Sequence, residues 1–194
     1  MSDTQKLTPD LVREFVISAH FNLDKVKAML GEYPALLTVK HQWGENDFED
    51  GLGAASHVGN RPIAEFLLER GAPLTICTAA MLGRKTDVET FIKADGAQAN
   101  AHGAHGIPLM FHAAMSGSTE LTSMLKNAGC TEGYSFAVHA AIAHGHLDML
   151  RWLLDNGATD LQIANYEGKS PLKKALEGNQ TAIADLLRER GAEE

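Results

Sequence analysis

Aromatic side chains are scarce in this sequence, at 6% of 194 residues. A core so short of rings has to be built from Leu, Ala, Ile and Val. Apolar residues still reach 44%, enough to fold and too many to stay disordered. Cysteine is scarcer: Cys77 and Cys130 are the only two, too few for a disulfide framework, and the expected location is cytoplasmic. Positive charge is in deficit, with 17 basic against 25 acidic residues and a net charge of −8. That background repels phosphate, so a nucleic-acid partner is not expected. No apolar run approaches the roughly 20 residues of a membrane span, so no membrane partner is expected either. The opening Met1-Ser2-Asp3-Thr4-Gln5-Lys6 leads toward an amphipathic helix and not toward an apolar leader.

What the sequence does contain is a repeat. Small residues, a Gly and an amphipathic stretch ending Leu-Leu then Gly-Ala recur. One copy runs from Ala54-Ala55 through Gly59 to Leu67-Leu68 and Gly71-Ala72, another from Ala140-Ala141 through Gly145 to Leu153-Leu154 and Gly157-Ala158. The last runs from Ser170-Pro171-Leu172 to Leu186-Leu187 and Gly191-Ala192. The closing residues Gly71, Gly96, Gly129, Gly157 and Gly191 are unevenly spaced, at 25, 33, 28 and 34. Counted from Ala55, Ala79, Ala113, Ala141 and Ala175 to the next of these glycines, however, the distances are 16, 17, 16, 16 and 16. From each glycine to the next such alanine they are 8, 17, 12 and 18. A nearly constant stretch means two helices packed in register, because an insertion would rotate the apolar stripe off its neighbour. A variable stretch means an exposed loop, where length costs little.

Thr8-Pro9 and Ser170-Pro171 each place a capping hydroxyl before a proline suited to the first helical position. Leu23, Val26 and Leu30, then Ile63, Phe66 and Leu67, then Leu147, Leu150 and Leu154 mark second helices, each closed by a left-handed Gly cap. The first copy is worn, with Tyr33-Pro34 in place of Gly-Ala.

These features resemble the ankyrin-repeat family. Val138-His139-Ala140-Ala141, Gly145-His146 and Leu153-Leu154 through Gly157-Ala158 match its phrase, and Asn165-Tyr166-Glu167-Gly168 with Ser170-Pro171-Leu172 match the start of a unit. The resemblance implies an all-α ankyrin-repeat solenoid in a single domain, 1–194. Its six helix-turn-helix units run approximately 8–40, 41–74, 75–100, 101–131, 132–161 and 162–194, with a concave binding face of hairpin fingers and first helices. The loops after Gly71 and Gly129 are short, and the loop from Tyr33 to Ala55 is the longest at 22 residues. Paired fingers are therefore expected at the first, third and fifth junctions, standing apart as posts, with none at 72–77. Lys173 and Lys174, with Asp185, Arg188, Glu189 and Arg190, suit a capping unit.

Nine histidines raise the question of metal. His102 and His105 lie three apart in a Gly-rich loop without a cysteine or a second pair of ligands nearby, which is poor zinc spacing. His139 and His146 fall where the family uses histidine structurally. The expectation is no metal and no cofactor. Nor is there a nucleophile elbow, phosphate loop or His-Glu-x-x-His helix, so no catalytic residue is expected. Cys77 has no base beside it, and Cys130 follows a helix C-terminus that disfavours a thiolate.

The first finger carries Trp43 and Phe48 among acids; it reads either as a loop whose aromatics fold back or as an anchor for a basic partner segment. The resemblance implies that the variable pair before each inter-helix turn faces the groove; along the stack these are His57 and Val58, Met81 and Leu82, Met115 and Ser116, Ala143 and His144, then Glu177. Met81, Leu82 and Met115 read as an adaptable apolar binding strip, against the competing reading that missing fingers let neighbouring units close over them. The sequence thus points to a monomeric, non-enzymatic module. It would bind a protein or peptide through Trp43, Phe48, His57, Val58, Met81, Leu82, His102, His105, Met115 and His144. A ligand- or metal-binding protein using the histidines, and an accessory subunit of an enzyme, are the alternatives.

Overall fold

A computed structural model describes residues 7–193; the stretch 1–6, read above as the approach to a helix, lies outside the described residues. α1 (Pro9–Ala19) begins where Thr8 accepts the Leu11 N–H at 3.2 Å and Pro9 takes the first helical turn. Its buried face is Val12, Phe15, Val16 and Ala19. Asn22 then caps α2 (Leu23–Glu32), which packs back on α1. A 3-10 turn, Pro34–Thr38, leads into an antiparallel ribbon of β1 (His41–Gly44) and β2 (Asp47–Glu49). Next come α3 (Gly51–His57), capped by Asp50, and α4 (Arg61–Glu69), capped by Asn60.

The pattern then repeats through α5 (Ile76–Met81), α6 (Lys85–Ala94), α7 (Leu109–Met115), α8 (Thr119–Asn127), α9 (Tyr134–Ala143), α10 (Leu147–Asn156), α11 (Pro171–Glu177) and α12 (Thr181–Glu189). Twelve helices in six pairs, with one two-stranded ribbon, make the described chain all-α.

The described residues form two compact units, 7–78 with 102–107, and 79–101 with 108–193. In the first, α1 packs on α3 and α2 on α4. In the second, α7 packs on α9 and α9 on α11, while α8 packs on α10 and α10 on α12. First helices thus stack on first helices and second on second, which is solenoid packing within each unit.

In three of the pairs the residue before the second helix ties the pair to its predecessor. Asn60 Nδ2 donates to the His20 carbonyl at 3.1 Å, His146 Nε2 to the Met115 carbonyl at 3.1 Å, and Gln180 Nε2 to the Ile142 carbonyl at 2.8 Å. Three different side chains do the same work, so the link leaves no single-letter signature.

The expected left-handed caps form at Gly71, Gly129, Gly157 and Gly191. Gly96 departs from them: Asp95 accepts the Ala97 N–H at 3.0 Å and Gly96 opens a 3-10 turn, Gly96–Asn100. The junction that follows a 3-10 turn is a long one at both places.

The fingers also differ from expectation. Residues 72–77 form no strand; Thr75 instead caps α5 by accepting the Thr78 N–H at 3.1 Å. Among the expected fingers the first is a two-stranded ribbon, and the third is paired at a single bridge, where the Gly103 N–H donates to the Ile107 carbonyl at 2.8 Å and the Leu109 N–H to the Ala101 carbonyl at 2.9 Å. The third is a loop around a 3-10 turn, Ala104–Gly106, and the fifth is a tight turn closed by Asn165 and Lys169. Nor does the third stand apart as a post, since the Ala104–Gly106 turn packs on β2. With no ribbon between α4 and α5, nothing holds it away.

Candidate functional site

β2 ends on Glu49, and the pleat turns its side chain to the face opposite Phe48. In the ribbon His41 pairs with Glu49 and Gln42 with Phe48, with a bulge between Gln42 and Gly44. One face therefore presents Trp43 to Glu49, whose Oε2 accepts the indole N–H at 2.8 Å. His41 meets the Trp43 ring edge-on, and Arg13 lies 5.8 Å above it. The other face leaves Phe48 at 49% exposure. Trp43 and Phe48 consequently do not form one anchor. Trp43 walls in an acid, and Phe48 faces outward.

Glu49 is buried, 1% exposed, and three imidazoles surround it. His57 Nδ1 lies 2.9 Å from Oε1, His105 Nε2 at 3.3 Å and His20 Nε2 at 3.8 Å. The His57 ring stands between the other two, edge-on to each at 4.9 and 5.1 Å between centroids. Burial pushes the Glu49 carboxyl upward; the polar contact and charge of His57, then His20 and the Trp43 N–H, outweigh it and hold it below its ordinary value.

Each imidazole arrives on a different segment. His20 caps α1, with Nδ1 2.9 Å from the Val16 carbonyl. His57 closes α3. His105 sits at the tip of the third loop with φ 58°, ψ 21°, a left-handed conformation costing about 1 kcal/mol or more for a residue with a Cβ. Its Nδ1 is 2.7 Å from Asp47 Oδ2, which fastens the loop to the ribbon.

The structure thus gathers Trp43, His57 and His105 with His20, Asp47 and Glu49, three residues that the sequence does not single out individually. A weak signal for two of the histidines is nevertheless present: Ser18 and Ser56 occupy the same place in consecutive first helices, each hydroxyl donating to the carbonyl four residues back, and His20 and His57 follow them by two residues and by one, so both lie at the end of a first helix.

His102 is exposed on the third loop. Val58 is 40% exposed at the turn after α3, and His144 is exposed and stacked on His146. The expectation for Met81, Leu82 and Met115 must be corrected. They are 1%, 5% and 7% exposed, so the apolar strip is core and not an open groove. In the second unit the successive turns lie close: a Cβ on Gly83 would stand 3.5 Å from Ser116, and His146 covers the Met115–Gly117 turn. Solvent has no room between them.

His139 serves structure. It is 6% exposed, and Nε2 donates to the Ile163 carbonyl at 2.8 Å, holding the 158–170 loop to α9. Burial, opposed by that bond, lowers its pKa. Protonation is then favoured in the unfolded chain, so the neutral ring's contribution is whole above about pH 6.5 and declines as pH falls through the lowered value. We expect His139→Gln to flatten the fall in thermal midpoint between pH 7.5 and 5.5; a parallel fall in both proteins would assign the loss elsewhere. Cys77 and Cys130 are buried free thiols; burial pushes Cys77 up to about 12 and raises Cys130 as well.

No helix among the described residues is long and apolar enough to cross a membrane. The family model for ankyrin repeats (3 copies) matches residues 54–163 and 110–194, so α1, α2 and the ribbon lie outside the match. Over 144 residues the chain is 31% identical to the ankyrin repeat domain-containing protein SAT10 of Stachybotrys chartarum, covering 69% of this chain and 7% of that protein. Over 116 residues it is 26% identical to the ankyrin repeat protein FPV014 of Fowlpox virus, covering 57% of this chain and 26% of that protein. The chain spans less than a third of either relative. Stacked helix pairs, recurring Gly caps and a family match running from residue 54 to residue 194 agree: the chain belongs to the ankyrin-repeat family.

Proposed function

We propose that this chain is a monomeric cytoplasmic binding module that holds a protein or peptide partner through the outer face of the β1–β2 ribbon and the exposed turn after α3. Ankyrin repeats are general protein-interaction modules and generally non-enzymatic, and that supports binding as the class of function. The observation that carries the site is Phe48, half-exposed on a ribbon whose opposite face is stitched down by Trp43 to Glu49 and by His105 to Asp47. A large apolar ring held ready on a fixed backbone loses little conformational freedom on binding. Val58 adds apolar surface in the same compact unit, and Glu45 on the ribbon favours a basic segment in the partner. His102, exposed in the same compact unit, adds a polar residue to this proposal; His144, exposed in the second unit, would be a separate contact, and the buried Met81, Leu82 and Met115 leave it.

The test is quantitative affinity capture with wild type and a Phe48→Ser, Val58→Glu variant. Both sites are exposed, so stability should change by no more than about 0.5 kcal/mol. A central anchor carries about 2 kcal/mol or more, roughly 30-fold in affinity. The variant should release the proteins that wild type retains; equal retention by a variant with an unchanged melt refutes the ribbon as the binding face.

A further inference from the structure

Glu49 is the one acidic residue that is buried among the described residues, and its ion-pair partners there are histidines. A carboxylate taken out of water is costly unless a cation accompanies it. Glu49 Oε1 and His57 Nδ1, although 2.9 Å apart, are not aligned as a hydrogen bond, and both are buried without a hydrogen-bond partner. Two unsatisfied atoms therefore face a common point.

Three imidazoles converge on Glu49 Oε1. Three ring nitrogens stand 2.9, 3.3 and 3.8 Å from Oε1. Donors bound tetrahedrally at zinc distances are about 3.3 Å from one another, the middle of this range. The ligand atoms of His20, Glu49 and His57 all lie within 4.8 Å of each other; His105 stands outside that group of three and joins it through its 3.3 Å approach to Oε1.

The remaining polar atoms of three of these side chains are already engaged. His20 Nδ1 donates to the Val16 carbonyl, which leaves Nε2 toward Glu49. His105 Nδ1 is held by Asp47 and Glu49 Oε2 by the Trp43 N–H. Such outer contacts fix the tautomer and the aim of metal-binding imidazoles. The strained backbone of His105 is maintained by the same Asp47 contact that points its Nε2 inward.

From this geometry we infer that His20, Glu49 and His57, with His105 as the fourth donor, form a binding site for a divalent transition-metal ion, with zinc as the best match. Three imidazoles and one carboxylate suit zinc and its neighbours in the first transition row; calcium and magnesium require oxygen shells. The ion would join α1, α3, the ribbon and the third loop, all within one compact unit. This proposal is independent of the binding face assigned above, because Phe48 and Val58 take no part in it.

The test uses the full, untagged chain, stripped with chelator and titrated with zinc by calorimetry and with cobalt(II) by visible absorption. One zinc per chain, a raised thermal midpoint, and cobalt bands of four-coordinate intensity are expected. His57→Gln and His105→Asn should lose stoichiometric binding, while His102→Asn and His144→Asn should bind as wild type does. Asp47→Asn, a half-exposed positioning residue that does not touch the ion, should bind about 10–100-fold more weakly and guards against variants that fail to fold. Failure of the wild type to take up one equivalent overturns the proposal. Wild-type affinity in a folded His57→Gln, His105→Asn double variant does so too.

Discussion

Phe15→Ala should lower the stability of the first compact unit by about 3–5 kcal/mol, the range for emptying a buried phenylalanine site. Phe15 is fully buried on α1, and its ring rests directly on the backbone of Gly51: a Cβ there would come within 2.7 Å of Cε1. The ring thus sets the distance between α1 and α3, the helices that bring up His20 and His57. Urea unfolding is best read from Trp43 in a Trp152→Phe background, since Trp43 belongs to the first unit. With a slope of about 2 kcal/mol per molar urea, the midpoint should fall by roughly 1.5–2.5 M. A shift under about 0.5 M would mean that the packing at Gly51 is not what joins the two helices. Gly51→Ala attacks the same contact by overfilling and should cost about 1–3 kcal/mol.

Gly133→Ala is expected to be as damaging in the second unit, at about 2–5 kcal/mol. Gly133 precedes α9 with φ 82°, and a Cβ would lie 2.5 Å from Cβ of Pro108. Two costs combine. The left-handed backbone costs a Cβ-bearing residue about 1–2 kcal/mol, and forcing a methyl against a rigid ring adds about 1–3 kcal/mol. Gly129→Ala separates them, since Gly129 has φ 94° and a Cβ there would meet nothing within 4 Å. It should show the backbone cost alone. Trp152 reports the event, because it stacks on Tyr134, the first residue of α9, with ring centroids 6.1 Å apart. Equal midpoints for the two alanine variants would refute the Pro108 clash.

The helix pairs were legible in the sequence because packing holds the stretch between small residue and glycine at 16 or 17 residues. The caps at Thr8 and Ser170 were legible for a local reason: hydroxyl, proline and helix start are contiguous. The docking of the third loop was not, because it depends on the missing ribbon between α4 and α5, a matter of neighbours in space. The burial of Met81, Leu82 and Met115 was hidden for a similar reason. Period and composition place them at a turn, and only the approach of the next turn decides whether water reaches them.

The candidate site was legible in fragments. Trp43, Glu49 and Asp47 lie close in sequence, and the acids were visible there as charge. What the linear reading could not supply is that β2 turns Glu49 inward while leaving Phe48 outside. Positions 20, 57 and 105 share no local motif, so ligand spacing of the kind seen in zinc fingers had nothing to find. A histidine at the end of each of the first two first helices, His20 just after α1 and His57 as the last residue of α3, was the one usable clue.

The two buried thiols make the protein its own stopwatch. Cys77 lies in one compact unit and Cys130 in the other, both buried and both disfavoured as thiolates. A thiol reagent must wait for each to open, so the two modification rates record how often each part of the chain breathes. Local opening can thereby be timed at two addresses in one unlabelled molecule, under conditions where global unfolding is too rare to observe.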